Sequence, residues 1–302
     1  MKASKFVLML TAVLLFTACT KQNAELGSAD NPVKFFFVPS VDSKRLLEQA
    51  KIVEAYLIAN TPYKYEVKVP SSYVAVVEAF GTKRADVASL NTFGYIMANE
   101  KYQTEARLIV IRNGLDTYQA QILARADSDI KKLDDLNGKK FAFVDPASTS
   151  GYLLPAKLFA DKNIKPKETI FANKHDNVIM MIQQKQVDAG ATFYSPPEKG
   201  EIQDARRLVK TQIPDVEKKI KIIELTEAIP NDPIVFRKDM PEEMKTKIVA
   251  ALQAFIKTDE GKKAFYESYS VTDFKTATDA NYDTVRDMLK KLGKTAGSLM
   301  KN

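Results

Sequence analysis

Phe141-Ala142-Phe143-Val144 runs without a break into Asp145-Pro146-Ala147-Ser148-Thr149-Ser150-Gly151-Tyr152. Four apolar residues bounded by a turn signal read as a short buried strand, and Asp145-Pro146 ends it. The spacing that follows predicts a helix from about Tyr152 to Asp161, with Pro155 near the edge of the turn that tolerates proline. Three hydroxyl residues therefore stand where a helix exposes unbonded N–H groups. Two uses fit them. Ser and Thr are ordinary caps at a helix start, and the same N–H groups, hydroxyls and positive dipole end suit a phosphate-like anion.

Strand, turn and helix recur on both sides of this segment. Upstream, Val33 to Val38, Tyr65 to Val69, Asp86 to Leu90 and Ala106 to Ile111 read as strands, with helices over Ser43 to Ala59, Tyr73 to Phe80 and Thr92 to Glu100. Downstream, Thr169 to Ala172, Val187 to Thr192, Ile220 to Leu225 and Ile234 to Arg237 are strand-like, and Asp176 to Gln184 is helical. Such alternation predicts an α/β fold with largely parallel sheets. Open sheets bind ligands beyond the carboxyl ends of their strands, which points to the loops at Pro39, Pro70, Asn91 and Asp145. From Pro241 onward the pattern is helical: Glu242 to Lys257, Asp259 to Ser268 and Tyr282 to Leu292. Two α/β blocks with short connections predict two lobes around a cleft. Residues 32–120 plus 230–302 are expected to form a discontinuous first lobe, and residues 121–229 the second.

The first 18 residues carry Lys2 and Lys5 ahead of an apolar run, Phe6 to Ala18, that is too short to span a bilayer. This reads as a secretory signal. Leu15-Phe16-Thr17-Ala18-Cys19 resembles a bacterial lipobox, so Cys19 is the expected lipidation site of a lipoprotein. The competing reading is an ordinary signal peptide with an incidental cysteine. Residues 19–31 then form a polar tether. Cleavage before Cys19 leaves 284 of the 302 residues and lowers the formal net charge from +7 to +5. That mild balance does not argue for nucleic acid, and no basic run interleaved with aromatics does either. One cysteine excludes an internal disulfide and any multi-cysteine metal site.

Further residues carry a family resemblance along nearly all of the mature chain. They include Val38-Pro39, Ser72-Tyr73, Arg84-Ala85-Asp86-Val87-Ala88 with Asn91, and Tyr118. The series continues with Leu133-Asp134-Asp135-Leu136-Asn137-Gly138-Lys139, Asp145 to Pro155, Lys174-His175-Asp176, Val187-Asp188-Ala189-Gly190 and Ile229-Pro230-Asn231-Asp232-Pro233. The chain resembles the substrate-binding lipoproteins and periplasmic proteins of phosphonate, phosphite and phosphate ABC transporters. The hydroxyl block Ser148 to Tyr152 and the His175 segment are the specific elements.

The resemblance implies a type II periplasmic-binding fold with a small phosphorus oxyanion held between lobes. Carried over residue by residue, Tyr73 and Tyr118 contact the ligand from lobe one, and Ser148, Thr149 and Ser150 hold its oxygens from lobe two. His175 joins them, and Asp232 accepts a hydrogen bond from a protonated ligand oxygen. The implied ligands are phosphite, phosphate or a small alkylphosphonate, and the implied partner is a membrane permease with its ATPase. A monomer on the periplasmic or extracytoplasmic face of the membrane, without a cofactor or metal, completes the expectation. Members that take aminoalkyl phosphonates carry an acid just after the strand near Thr192. Here Phe193-Tyr194-Ser195-Pro196 has none, which favours a compact ligand.

Each residue also has a plainer role: His175, the chain's one histidine, as a satisfied core group, the tyrosines as cleft-edge packing, and Asp232 as a turn residue before Pro233. Three functional alternatives stay open. One is a hydrolase built on Ser150, His175 and Asp232, although no Gly-x-Ser-x-Gly elbow is present and His175 lacks the histidine partners of common zinc sites. The others are a sensor lipoprotein of the same fold and a site for another small anion.

Overall fold

The computed structural model describes residues 24–291. The expected signal segment, Cys19 and the start of the tether, up to Asn23, lie outside the described residues.

The chain opens with β1 (Val33–Phe37), α1 (Ser43–Asn60), β2 (Tyr65–Lys68), α2 (Tyr73–Gly81), β3 (Val87–Ser89), α3 (Thr92–Tyr102) and β4 (Glu105–Ile111). It then builds β5 (Thr117–Arg125), β6 (Lys140–Phe143), α4 (Leu154–Asp161), β7 (Glu168–Phe171), α5 (His175–Gln183), β8 (Ala189–Tyr194), α6 (Val216–Lys219), β9 (Ile220–Leu225) and β10 (Ile229–Pro230). Last come β11 (Pro233–Phe236), α7 (Glu242–Phe255), α8 (Asp259–Tyr269), β12 (Asp273–Thr276) and α9 (Asp283–Lys291).

The strands sort into two six-stranded sheets. The first has the order β12-β4-β11-β3-β1-β2, and the second runs β10-β5-β8-β6-β7 with β9 also on β5. The chain leaves the first sheet after β4 and returns at β11, which lies antiparallel between β3 and β4. β1 pairs in parallel with β2 and β3, and β6 in parallel with β7 and β8, so the carboxyl ends of these strands gather at one edge of each sheet.

Alternation along β1 explains how the first sheet is covered. Val33, Phe35 and Phe37 face the α1 side, against Leu46, Ala50, Val53 and Leu57. Phe36 and Val38 face the other way, into a second core with Val76, Val77 and Phe93 of α2 and α3. The second sheet buries Phe141 and Phe143 against Phe159 of α4, and their rings meet it at centroid distances of 4.9 and 6.1 Å.

Two expectations are corrected, and one strand is new. The helix expected from Tyr152 starts at Leu154, because residues Thr149–Leu153 form a wider turn in which the Leu153 N–H reaches back five residues to the Ser148 carbonyl at 3.0 Å. Ile130 to Leu136, whose apolar spacing before Asn137-Gly138 predicts a short helix, condenses to one tight turn over Leu133–Leu136. β12 falls in the gap between the helices expected over Asp259 to Ser268 and Tyr282 to Leu292, where the sequence gives no strand. Of its four residues only Phe274 is buried, so the strand leaves no apolar alternation to read.

Candidate functional site

Gly151 sets the shape of the hydroxyl turn. A Cβ there would stand 2.4 Å from the Val144 side chain, so only glycine lets the turn press onto the end of β6. The Val144 N–H then reaches the Gly151 carbonyl at 3.0 Å. Ser148 caps the turn, its Oγ accepting from the Gly151 N–H at 3.1 Å. Asp145 holds the approach, with Oδ1 accepting from the Ala147 N–H at 2.8 Å, and burial pushes its carboxyl pKa up.

Thr149 joins the two halves of the molecule. Its Oγ1 accepts from the Phe93 N–H and from Asn91 Nδ2, each at 2.9 Å. Asn91 precedes α3 without capping it. Its amide instead donates across to Thr149 and to the Ala147 carbonyl at 2.8 Å. The free N–H groups at the start of α3 go to groups from elsewhere in the chain: Phe93 to Thr149, and Thr92 to Asp232 Oδ1 at 3.2 Å. A carboxylate at that position also meets the positive end of the helix dipole.

All seven ligand-binding residues expected from the sequence line one cavity of about 50 Å³: Tyr73, Tyr118, Ser148, Thr149, Ser150, His175 and Asp232. A single water needs roughly 10–15 Å³ measured this way, so the space suits a tetrahedral oxyanion of five heavy atoms. Tyr73, directly after the extended cap residue Ser72 and first of α2, is buried with its hydroxyl unbonded. Burial, followed by the Asp145 charge, holds its pKa well above the usual phenol value. Ser148 lies near enough to temper that rise without forming a hydrogen bond. Tyr118 is raised chiefly by burial and then by the Asp232 charge.

His175 opens α5, its N–H reaching the Ser40 carbonyl at 3.2 Å and its ring edge-on to Phe193 at 5.0 Å. Burial and the charge of Arg112 pull its pKa down to about 3, so the imidazole is neutral at physiological pH. Its Nδ1 has no hydrogen-bond partner. The anion contact available from His175 is thus one neutral N–H, not a cationic one.

Asp232 is already engaged. Its Oδ2 accepts from Arg112 Nη2 at 2.6 Å and its Oδ1 from Thr92. Arg112 is fixed on every side: Nη1 donates to Asn231 Oδ1 at 2.8 Å, Nε to the Tyr269 carbonyl at 2.9 Å, and the guanidinium lies 5.5 Å from the Tyr118 ring centroid. Asp232 therefore positions Arg112 and α3 instead of standing as a free acceptor. A Ser-His-Asp relay is not assembled either, since Asp232 bonds Arg112 and Thr92 while His175 Nδ1 receives no carboxylate.

Asn91 and Phe193, both in segments the sequence pointed to, also line the cavity, as do Arg112, Arg207 and Tyr269, to which the sequence gave no site role. Arg112 stands at the carboxyl end of β4, so the strand-end rule that selected Asn91 and Asp145 also reaches it. No comparable signal marks Arg207 among the chain's 45 Lys and Arg residues.

Residues 35–282 match the profile of a family described as ABC transporter, phosphonate, periplasmic substrate-binding protein. The chain belongs to this phosphonate-binding family. It is 28% identical over 225 residues to the phosphonates-binding periplasmic protein of Escherichia coli, a match covering 72% of this chain and 63% of that protein's length. It is also 29% identical to the phosphate-import protein PhnD of Mycolicibacterium smegmatis, over 93% of each chain. Among solved structures, a binding-protein component of a Pseudomonas aeruginosa phosphonate transporter superposes with a TM-score of 0.75 at 21% identity, covering 85% of this chain and 84% of that one. PhnD1 of Prochlorococcus marinus, in complex with methylphosphonate, superposes with a TM-score of 0.74 at 18% identity, covering 87% of this chain and 98% of that one. These two likenesses establish the type II periplasmic-binding fold. Phosphonate-binding proteins are extracytoplasmic transport components, which answers the hydrolase alternative. Among the described residues no helix is long and apolar enough to cross a membrane.

Proposed function

We propose that this member of the phosphonate-binding family captures a small phosphorus oxyanion, namely phosphite, phosphate or methylphosphonate, and delivers it to the permease of an ABC transporter. The observation that carries the reading is the meeting of Tyr73, Tyr118, Ser148, Thr149, Ser150 and His175 around one cavity sized for a tetrahedral anion. Unbonded polar groups at Tyr73 and His175 line the same space. An anion with three or four oxygens satisfies such groups at little desolvation cost to the protein.

We take the two sheets as the cores of two lobes, the first built from residues 33–111 with 233–276 and the second from residues 117–230, so that β5 carries Tyr118 into the second lobe instead of the first. Binding draws them together, because ligand contacts from both sides stabilise the closed form. A compact ligand is favoured over an aminoalkyl phosphonate. Phe193 and Ser195 line the cavity, their segment Phe193-Tyr194-Ser195-Pro196 offers no acid to an ammonium group, and the carboxylate of Asp232 is bound to Arg112. The relatives support this range of ligand: one is named for phosphonates, one for phosphate import, and one is solved with methylphosphonate. Acylation at Cys19 tethers the protein as a monomer to the outer face of the membrane, keeping delivery local.

Calorimetry of ligand-stripped protein tests the reading, with phosphate, phosphite, methylphosphonate and an aminoalkyl phosphonate as titrants. Saturable binding of at least one of the first three, tighter than the aminoalkyl compound, is expected. Heat from none of the three would refute the oxyanion site.

A further inference from the structure

Three charged side chains line the cavity: Arg112, Arg207 and Asp232. Asp232 and Arg112 form a close pair at 2.6 Å, so their charges cancel locally. Arg207 is left over. It lies between β8 and β9 on a turn spanning Ala205–Val209, and the acid nearest in sequence, Asp204, is held by Arg206 through Nε at 3.0 Å and Nη2 at 2.8 Å. Arg45, a further guanidinium nearby, pairs with Glu267. Among the described residues no carboxylate lies within ion-pair distance of Arg207.

The Arg207 side chain is nevertheless held in place from across the cleft. Its guanidinium lies 5.2 Å from the Tyr266 ring centroid on α8, and Nη2 donates to the Ser270 hydroxyl that follows α8. Gln203, on the same segment, accepts from the Tyr266 hydroxyl at 3.0 Å. The Arg207 Nε is buried and has no hydrogen-bond partner. A guanidinium placed against low-dielectric walls, without a counter-ion and facing the positive charges of Arg112 and Arg45, is costly unless an anion offsets it.

We propose that Arg207 is the counter-ion for the second negative charge of the ligand, making the site selective for dianionic phosphorus oxyanions over monoanions of the same shape. The inference rests on the oxyanion reading above and adds to it a charge-selecting residue. Phosphonate and sulfonate share tetrahedral geometry, but a methylphosphonate dianion carries one more charge than methanesulfonate. Arg207 supplies the difference, and its Tyr266 and Ser270 contacts hold it still while it does so.

The test is calorimetry with methylphosphonate and methanesulfonate at mildly alkaline pH, using wild type, Arg207→Gln and Arg207→Lys. Wild type is expected to prefer methylphosphonate. Arg207→Gln should lose about ten- to hundredfold in methylphosphonate affinity, the range of one charge-assisted bond, with a much smaller loss for methanesulfonate. Arg207→Lys should keep most of the preference, and it carries the test if the Gln variant does not fold. Equal losses for both ligands, unchanged affinity in Arg207→Gln, or a preference absent from the Lys variant would each overturn the proposal. If wild type binds neither ligand nor phosphate, the oxyanion reading falls with it. Wild-type binding with an indifferent Gln variant removes Arg207 alone.

Discussion

Arg112 Nη2 donates to Asp232 Oδ2 at 2.6 Å, and the two side chains are only 10% and 19% exposed. The pair links the end of β4 to the strand that returns to the first sheet, and it leaves the Asp232 carboxylate occupied by a resident cation. Removing one partner of a buried pair strands the other charge. Arg112→Met is therefore expected to lower stability by about 3 kcal/mol in denaturant titrations. The same variant exposes Asp232 to the ligand. Its affinity for an aminoalkyl phosphonate should rise relative to methylphosphonate, and an unchanged ratio would show that Asp232 takes no part in selection.

Thr149 serves the fold as well as the ligand. Thr149→Ala leaves the Phe93 N–H and the Asn91 amide without their acceptor, at about 1–3 kcal/mol for each buried donor. It should thus lower both the melting temperature and oxyanion affinity. Thr149→Ser keeps the hydroxyl and should recover most of both. A Ser variant as weak as the Ala variant would assign the effect to the methyl group.

Gly151→Ala should be more damaging than a surface glycine change, because the new Cβ would meet the Val144 Cβ and Cγ2, both 2.4 Å away. Neither atom is the far end of a flexible chain, so the turn itself must move. Overpacking of this kind costs about 1–3 kcal/mol. Displacing Ser148 and Thr149 should also weaken oxyanion binding at least as much as Thr149→Ala does, as calorimetry of the two variants side by side will show.

Much of this arrangement was legible in the sequence because periodicity reports burial. Phe35 and Phe37 on one face and Phe36 and Val38 on the other gave β1 its sheet between two cores. The hydroxyl turn was legible because Asp145-Pro146 breaks the strand ahead of Ser148. What escaped is non-local. Nothing in Arg112-Asn113-Gly114 announces a partner 120 residues away at Asp232. The neutrality of His175 likewise follows from burial and from Arg112, neither of which its own segment contains. The five-residue reach from Leu153 to Ser148 depends on Gly151 lying against Val144, a contact that spacing alone does not reveal.

The His175 environment sets a pH dependence of stability. The folded pKa lies at about 3, well below the ordinary histidine value near 6.5, so the unfolded chain binds the proton that the folded one refuses. Where the unfolded state holds more protons, stability rises with pH. The contribution of His175 is therefore fully present above about pH 6.5 and is lost as pH falls from there toward 3, at up to about 1.4 kcal/mol per unit. Arg112 contributes to the depression, and the buried acids Asp145 and Asp176, whose pKa values are raised, act in the opposite sense over the lower part of the window. Subtracting His175→Gln from wild type isolates the histidine, because both chains carry the same acids. Denaturant midpoints measured between pH 4 and pH 7 should fall more steeply with acid in wild type than in His175→Gln. Parallel slopes would mean that His175 is hydrated enough to titrate normally, and with it the argument for a neutral N–H donor in the oxyanion site would fail.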